Sequence, residues 1–180
     1  MHYGKILLSD IANGIGCRTS IFVSGCRRHC KGCFNQETWD FHYGQRYTPE
    51  VEELILDSLK KANIDGLSVL GGEPMEPKNQ HDVYYLMRKA KALGKSVWLY
   101  SGFCYEELTN PFNESCQTTY TEGILEMIDV LVDGPFVEEQ KDITLLFRGS
   151  RNQRLIDMQA SLRDGAVVLW DGSVRRSPRG

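Results

Sequence analysis

Residues 19–34 read TSIFVSGCRRHCKGCF, and this stretch carries the strongest signals for both fold and chemistry. Its first six residues are rich in β-branched and aromatic side chains, which is typical of a β-strand. The strand is expected to stop at Gly25, after which the chain enters a loop with Cys26, Cys30 and Cys33. A set of metal-ligating side chains therefore begins where a strand ends.

Outward from this loop, the pattern alternates between helix and strand. Apolar residues at helical spacing follow Thr48 and Pro49, a typical N-cap and first-turn pair, and Gly94 is the expected stop of a second helix. The short β-rich runs each end at a glycine, which favours a turn. The predicted helices cover residues 48–62, 83–93 and 121–128, and the further strands cover residues 67–70, 96–100 and 130–132.

Successive βα units predict a parallel sheet. A closed eight-stranded βα barrel needs about 250 residues, so 180 residues predict an α/β fold with a partial, open βα barrel and a mostly parallel sheet. We expect one domain over residues 1–180, with 158–180 as a C-terminal extension and a hairpin at 166–174. Chemistry is expected at the carboxyl ends of the strands, where the cysteine loop and the glycine-containing strand ends lie.

The charge balance argues against a nucleic-acid partner. The net charge is −3 and the pI about 5.8, so the chain lacks the overall positive field that draws proteins to nucleic acid. We interpret the basic end, Arg175, Arg176 and Arg179, as a solvated tail. No apolar run approaches the roughly 18 residues that cross a bilayer, and residues 1–10 lack the apolar stretch of a signal peptide. We expect a cytoplasmic protein with no membrane partner.

That location decides how the six cysteines are interpreted. Cytosolic thiols stay reduced and serve metal binding or catalysis more often than disulfides. Cys17, Cys104 and Cys116 are scattered, and each is expected to be a small buried apolar residue. The other three place soft thiolate ligands on one short segment, which favours zinc or an iron-sulfur cluster.

Two metal centres fit the grouped cysteines. Structural zinc normally has four protein ligands, and the fourth would be Cys17 or His42, neither of which lies at motif spacing. Three cysteines on a 4Fe-4S cluster leave one iron without a protein ligand, and that iron can bind another molecule. The sequence favours the iron-sulfur cluster and leaves the zinc alternative open.

The cysteine loop after one strand, together with Gly71-Gly72-Glu73-Pro74 after the next, resembles the radical S-adenosylmethionine superfamily. Within it, the sequence is similar to the anaerobic ribonucleoside-triphosphate reductase activating proteins, over most of the chain to about residue 157. One difference from the wider superfamily is Gly32, because an aromatic residue often precedes the third cysteine there. The similarity is carried by DIANG at 10–14, FVSGC at 22–26, GCFN at 32–35, TW at 38–39, VDGPFV at 132–137 and RGSRNQ at 148–153.

The resemblance implies a radical S-adenosylmethionine fold, with a 4Fe-4S cluster on Cys26, Cys30 and Cys33 and S-adenosyl-L-methionine on the open iron. Reductive cleavage of that cofactor would generate a glycyl radical on the large subunit of an anaerobic ribonucleoside-triphosphate reductase. A low-potential donor such as flavodoxin would supply the electron. The residues expected to bind the cofactor are Gly32, Cys33, Phe34, Gly71, Gly72, Glu73 and Ser101.

These cofactor assignments have physical reasons and alternatives. The backbone of Gly71 and Gly72 can approach a methionine group closely, and Glu73 adds negative charge, but the segment also suits a plain strand-to-helix turn. Phe34 is the nearest aromatic side chain that can pack against adenine. Ser101 can hydrogen-bond the cofactor or serve turn chemistry.

Two other functions use the same cysteine loop. One is a radical S-adenosylmethionine enzyme that acts on a small molecule such as a deazapurine precursor. The other is a non-catalytic iron-sulfur redox protein, which would not need the glycines at positions 71 and 72. The short chain favours a protein substrate, because strand ends that a closed barrel would surround stay accessible to a loop of another protein.

Overall fold

The computed structural model describes residues 1–173 of the chain. All the helices and strands predicted above are present, and their end points differ by at most three residues except at the second helix, which begins six residues earlier than predicted. The strands are β1 His2–Asp10, β2 Arg18–Val23, β3 Gln45–Arg46, β4 Gly66–Gly71, β5 Ser96–Tyr100, β6 Val130–Asp133 and β7 Arg154–Asp157. The helices are α1 Pro49–Leu59, α2 Pro77–Ala92, α3 Tyr105–Leu108, α4 Thr121–Met127 and α5 Met158–Asp164, with short 3-10 helices at Gln36–Trp39 and Glu138–Gln140.

The seven strands form one open, mixed sheet in the order β3-β1-β2-β4-β5-β6-β7. The four central strands, β2, β4, β5 and β6, are parallel to one another. The outer strands β1, β3 and β7 pair antiparallel. The parallel centre confirms the prediction from the βα units, whereas the antiparallel edges were not predicted.

The two faces of the sheet bury different side chains because successive residues of a strand point to opposite sides. On one face, Val69 of β4 and Leu99 of β5 belong to the main core with Leu86 of α2. On the other face, Trp98 of β5 packs edge-to-face on Phe147, with ring centroids 5.1 Å apart. Helices therefore cover one face and irregular segments cover the other. None of the helices within residues 1–173 is long and apolar enough to span a bilayer.

A buried arginine fastens the segment after β1 to this second face. Arg18 is fully buried, and its guanidinium donates to the hydroxyls of Ser68 and Ser96 at 2.7 and 2.9 Å and to the carbonyl of Ile15 at 3.2 Å. Burial lowers the pKa of Arg18 to about 10. Several hydrogen bonds to the guanidinium offset the desolvation of its charge.

Two local expectations were wrong. Helix α1 ends at Leu59 and does not continue to residue 62, whereas Thr48 occupies the predicted N-cap position, although its side chain makes no capping hydrogen bond. Residues 168–170 do not fold back on a partner strand of their own; they run antiparallel beside β7, where Asp157 N–H donates to the Val168 carbonyl and Trp170 N–H to the Leu155 carbonyl, each at 2.9 Å. The last residue of the expected hairpin and the basic tail lie outside the described residues.

Candidate functional site

The cysteine loop starts at the carboxyl end of β2. Gly25 turns the chain with a φ of +102°, a conformation that favours glycine, and a β-carbon there would lie 2.3 Å from the Phe41 ring. The base of the loop is closed by backbone hydrogen bonds, from Gly25 N–H to the Thr38 carbonyl at 2.7 Å and from Cys26 N–H to the Trp39 carbonyl at 3.1 Å. The 3-10 helix after the cysteines therefore returns to the loop's own start.

The three grouped cysteines are free thiols that line one cavity of about 350 Å³. Cys26 is buried, while Cys30 and Cys33 are half-buried. The loop between them is not helical, because His29 and Gly32 have φ values of +47° and +71°. Burial raises the pKa of the Cys26 thiol to about 11, so a bound metal would have to displace its proton.

The end of β4 forms the second wall of this cavity. Gly71 and Gly72 both line it, and Gly72 N–H donates to the Val23 carbonyl at 2.7 Å. A β-carbon on Gly72 would lie 2.7 Å from the Gly25 carbonyl oxygen and 2.8 Å from that of Thr38. The glycine is thus required by backbone packing against the cysteine loop, which is a reason for glycine that involves no ligand.

Glu73 ties the end of β4 to the end of β5. Its carboxylate is almost fully buried and accepts hydrogen bonds from Ser101 Oγ at 2.8 Å, Gly102 N–H at 2.7 Å and Met75 N–H at 2.9 Å. Burial raises its pKa to about 7. Glu73 and Ser101 both line the cavity, and Ser101 Oγ also accepts from Phe103 N–H. Their hydrogen bonds make them a clamp between two strand ends.

Phe34 lies at the mouth of the cavity and is 59% exposed. Its ring meets Phe136 edge-to-face with centroids 5.0 Å apart, and Lys141 Nζ lies 4.9 Å from its centroid. Gly32 does not line the cavity; a β-carbon there would lie 2.8 Å from a carboxylate oxygen of Glu138. The structure therefore brings together all the predicted site residues except Gly32.

Several lining residues were missed by sequence reasoning. Asp10 accepts hydrogen bonds from Ala12 N–H at 2.8 Å and Asn13 Nδ2 at 2.7 Å, and this turn places both residues against the cavity. The DIANG motif carries part of the family resemblance, but nothing in the sequence indicates that it lines the cavity. Tyr100, the last residue of β5, and Arg148 also line the cavity, and only the sheet order and the path of the later loop bring them there.

A separate cluster of potential ligands lies beside the cavity. Within residues 1–173, Cys104, Glu106 and Asp133 have donor atoms that all lie within 4.8 Å of one another, and the three loop cysteines form no group this tight. Arg154 donates to both carboxylates, and Asp133 also accepts from Tyr105 N–H at 2.7 Å. Arg154 thus forms ion pairs with the two carboxylates of this cluster and fastens β7 to the end of β6.

Comparisons with known proteins place this site in a family. A model of the 4Fe-4S single cluster domain matches residues 12–156. The anaerobic ribonucleoside-triphosphate reductase-activating protein of Vibrio cholerae is 42% identical over 157 residues, which cover 85% of this chain and 96% of that protein. The proteins of the same name from Escherichia coli K12 and Enterobacteria phage T4 are 37% and 34% identical, over 85% and 86% of this chain and 96% and 93% of their own lengths.

The matched region contains the cysteine loop, the end of β4 and the later loop that completes the cavity. The chain therefore belongs to the 4Fe-4S single cluster domain family and, within it, to the anaerobic ribonucleoside-triphosphate reductase-activating proteins.

Proposed function

We propose that this protein activates an anaerobic ribonucleoside-triphosphate reductase by generating a glycyl radical on its large subunit, through reductive cleavage of S-adenosylmethionine at a 4Fe-4S cluster. The observation that carries the proposal is the shared cavity. Three cysteines on one loop face the glycine-rich end of the neighbouring parallel strand, in a chain that closely resembles proteins named for this activation.

The donor set suits a cluster better than a single zinc ion. Tetrahedral zinc with Zn–S bonds of about 2.3 Å brings its thiolates to about 3.8 Å from one another. The sulfurs of Cys26, Cys30 and Cys33 do not all lie within 4.8 Å of one another, so they are spread more widely than such a site requires. A 4Fe-4S cluster takes each thiolate on a different iron, which suits the wider spacing.

The cavity is also large enough for a small-molecule cofactor. Its volume of about 350 Å³ lies in the range of roughly 300 to 1,000 Å³ that is typical of such sites. When bound there, S-adenosylmethionine and a reduced cluster supply the oxidant that takes a hydrogen atom from a glycine Cα. The carbonyls of Gly71 and Gly72 are assigned to the methionine ammonium group, and Phe34 to adenine. Glu73, already held by three donors, sets the position of these strand ends and adds negative charge near the ammonium.

The partial barrel predicted from the sequence fits this role. The sheet is open, and the cavity at the carboxyl ends of β2, β4 and β5 has the exposed Phe34 at its mouth. A loop of another protein can then present its glycine at the cavity. A low-potential donor such as flavodoxin is the proposed source of the electron, and a cytoplasmic location agrees with six free thiols.

The test is anaerobic reconstitution with iron and sulfide, followed by reduction and addition of S-adenosylmethionine and the reductase from the same source. We expect 5′-deoxyadenosine and a glycyl radical signal by electron paramagnetic resonance. Replacing the partner's radical-site glycine by alanine should abolish the protein signal. Cofactor cleavage with no protein radical, while a deazapurine precursor is consumed, would instead identify a small-molecule enzyme.

A further inference from the structure

Several strongly exposed apolar side chains lie in the segments that line the candidate cavity. Ile11 is 78% exposed and precedes the lining residue Ala12; Ile143 and Leu146 are 90% and 75% exposed and lie within two residues of the lining residue Leu145. Phe34, at the mouth itself, is also exposed. Exposed apolar side chains on segments that line the same cavity mark an interaction site more often than isolated ones do.

Ile143 and Leu146 belong to an ordered loop, residues 141–150, which we call the flap. Its base is closed by an antiparallel bridge between Lys141 and Ser150 and by a hydrogen bond from Asp142 N–H to the Gly149 carbonyl at 3.2 Å. The Asp142 carboxylate accepts from Thr144 N–H at 3.0 Å and from its hydroxyl at 2.6 Å. These bonds fix the turn that leads to the apolar tip.

The flap has an inner and an outer side. Leu145 and Phe147 line the cavity, and Phe147 packs on Trp98 of the sheet. Ile143 and Leu146 do not line the cavity, and they contribute apolar surface to solvent. Leu145 and Phe147 therefore pack within this chain. Ile143 and Leu146 remain exposed to water, which is unfavourable for large apolar side chains.

The base of the flap rests on the cysteine loop. A β-carbon on Gly149 would lie 3.1 Å from the Phe34 ring, which directly follows Cys33. Glu138, shortly before the flap, accepts from Lys31 of the cysteine loop at 3.0 Å. A molecule seated on the outer side of the flap therefore borders the mouth of the cavity.

We propose that Ile143 and Leu146 are the docking surface for the partner protein, which lays a segment with apolar side chains across the flap and presents its reacting backbone at the mouth. This proposal rests on the proposed function. A protein is the occupant because the surface is continuous with the cavity in which a polypeptide glycine has to react. The flap itself alternates single charges, Lys141, Asp142 and Arg148, which is unlike the basic face of a membrane-surface segment.

The test compares two variants of the reconstituted, full-length protein under anaerobic conditions. In the first, Ile143→Ser and Leu146→Ser are combined; in the matched control, Leu169→Ser changes a side chain that is 63% exposed beside β7. We expect the double variant to raise the Kd for the reductase about tenfold or more, since two apolar anchors are removed. The control should keep the wild-type Kd.

Further measurements separate docking from other effects. Iron content and 5′-deoxyadenosine formation without the reductase should be unchanged in the double variant, and the glycyl radical yield should recover at saturating reductase. A conservative pair, Ile143→Val with Leu146→Met, should retain affinity. An unchanged Kd in the double variant would overturn the docking proposal. The proposal would also be overturned if the wild type were a dimer and the double variant a monomer, because the flap would then be a contact between two copies of this chain. If the reductase binds the wild-type protein but gains no radical, the result would contradict the proposed function and not the docking proposal.

Discussion

Gly72→Ala is expected to prevent cluster assembly, although Gly72 is not a ligand. The new β-carbon would lie 2.7 and 2.8 Å from the carbonyl oxygens of Gly25 and Thr38, about 0.6 to 0.7 Å closer than ordinary contact. Both oxygens belong to the backbone at the base of the cysteine loop, so neither can rotate away. Forcing extra volume into such packing costs about 1 to 3 kcal/mol, and the loop that carries the cysteines has to move.

The expected size of the effect follows from chain length. A loss of 1 kcal/mol lowers Tm by about 2 to 4 °C in a chain of 150 to 250 residues, so the apo variant should melt about 2 to 12 °C below wild type. Tm is measured on the apo protein by scanning fluorimetry. Iron is then determined after anaerobic reconstitution, and we expect it to fall well below the wild-type content.

Gly94→Ala is the matched control. Gly94 has a φ of +70°, and its β-carbon would meet nothing within 4 Å. Alanine there costs about 1 to 2 kcal/mol through backbone strain alone, so Tm should fall while iron content stays at the wild-type level. A Gly72→Ala protein with wild-type Tm and full iron would refute the packing argument. If that protein lost only affinity for S-adenosylmethionine, Gly72 would be required for cofactor binding alone and not for backbone packing.

Three further predictions concern the cluster and the fold around it. Cys30→Ala should lose most of its iron after reconstitution, whereas Cys17→Ala should keep it; the reverse pattern would contradict the ligand assignment. Asp133→Asn should lower stability by about 1 to 3 kcal/mol, seen as a lower Tm at unchanged iron content, because Asp133 is buried and accepts from Arg154 and a backbone N–H. Removing the cluster with a chelator should bleach the visible absorbance and leave the far-ultraviolet circular dichroism intact, because the main core lies between the sheet and helices; unfolding on chelation would show that the cluster also holds the fold.

Local signals accounted for most of the parallel part of the fold. The strand ending at Tyr100 was predicted at its observed bounds, and α4 differs by one residue. The strand combines a short apolar pattern with Gly102 just beyond its end, and α4 has apolar residues at helical spacing; both signals act within a few residues. The end of α1 was wrong because no glycine or proline follows the helix until Gly66. The partner of residues 168–170 was wrong because the Asp171-Gly172 turn signal does not specify the strand with which they pair.

The candidate site was predicted in part for the same reason. Cysteine spacing and the Gly71-Gly72 step are local patterns, and parallel strands bring their carboxyl ends to one edge. The clamp that Glu73 makes to Ser101 was not predicted, because it depends on the distance between two strand ends. The flap was not predicted either, since exposed Ile143 and Leu146 look like ordinary core residues in a sequence.

The sequence by itself determined the parallel βα centre and the three cysteines at the end of a strand, because the spacing of apolar residues and cysteines and the glycines that end strands are properties of neighbouring residues. Only the tertiary structure decided the antiparallel edges, the burial of Arg18 and the side of the cavity on which residues 141–150 lie. Strand pairing and burial depend on contacts between residues that are distant along the chain, and many pairings satisfy the same local pattern equally well. The packed core selects among them, because one arrangement covers both faces of the sheet and gives the Arg18 guanidinium its hydrogen-bond acceptors.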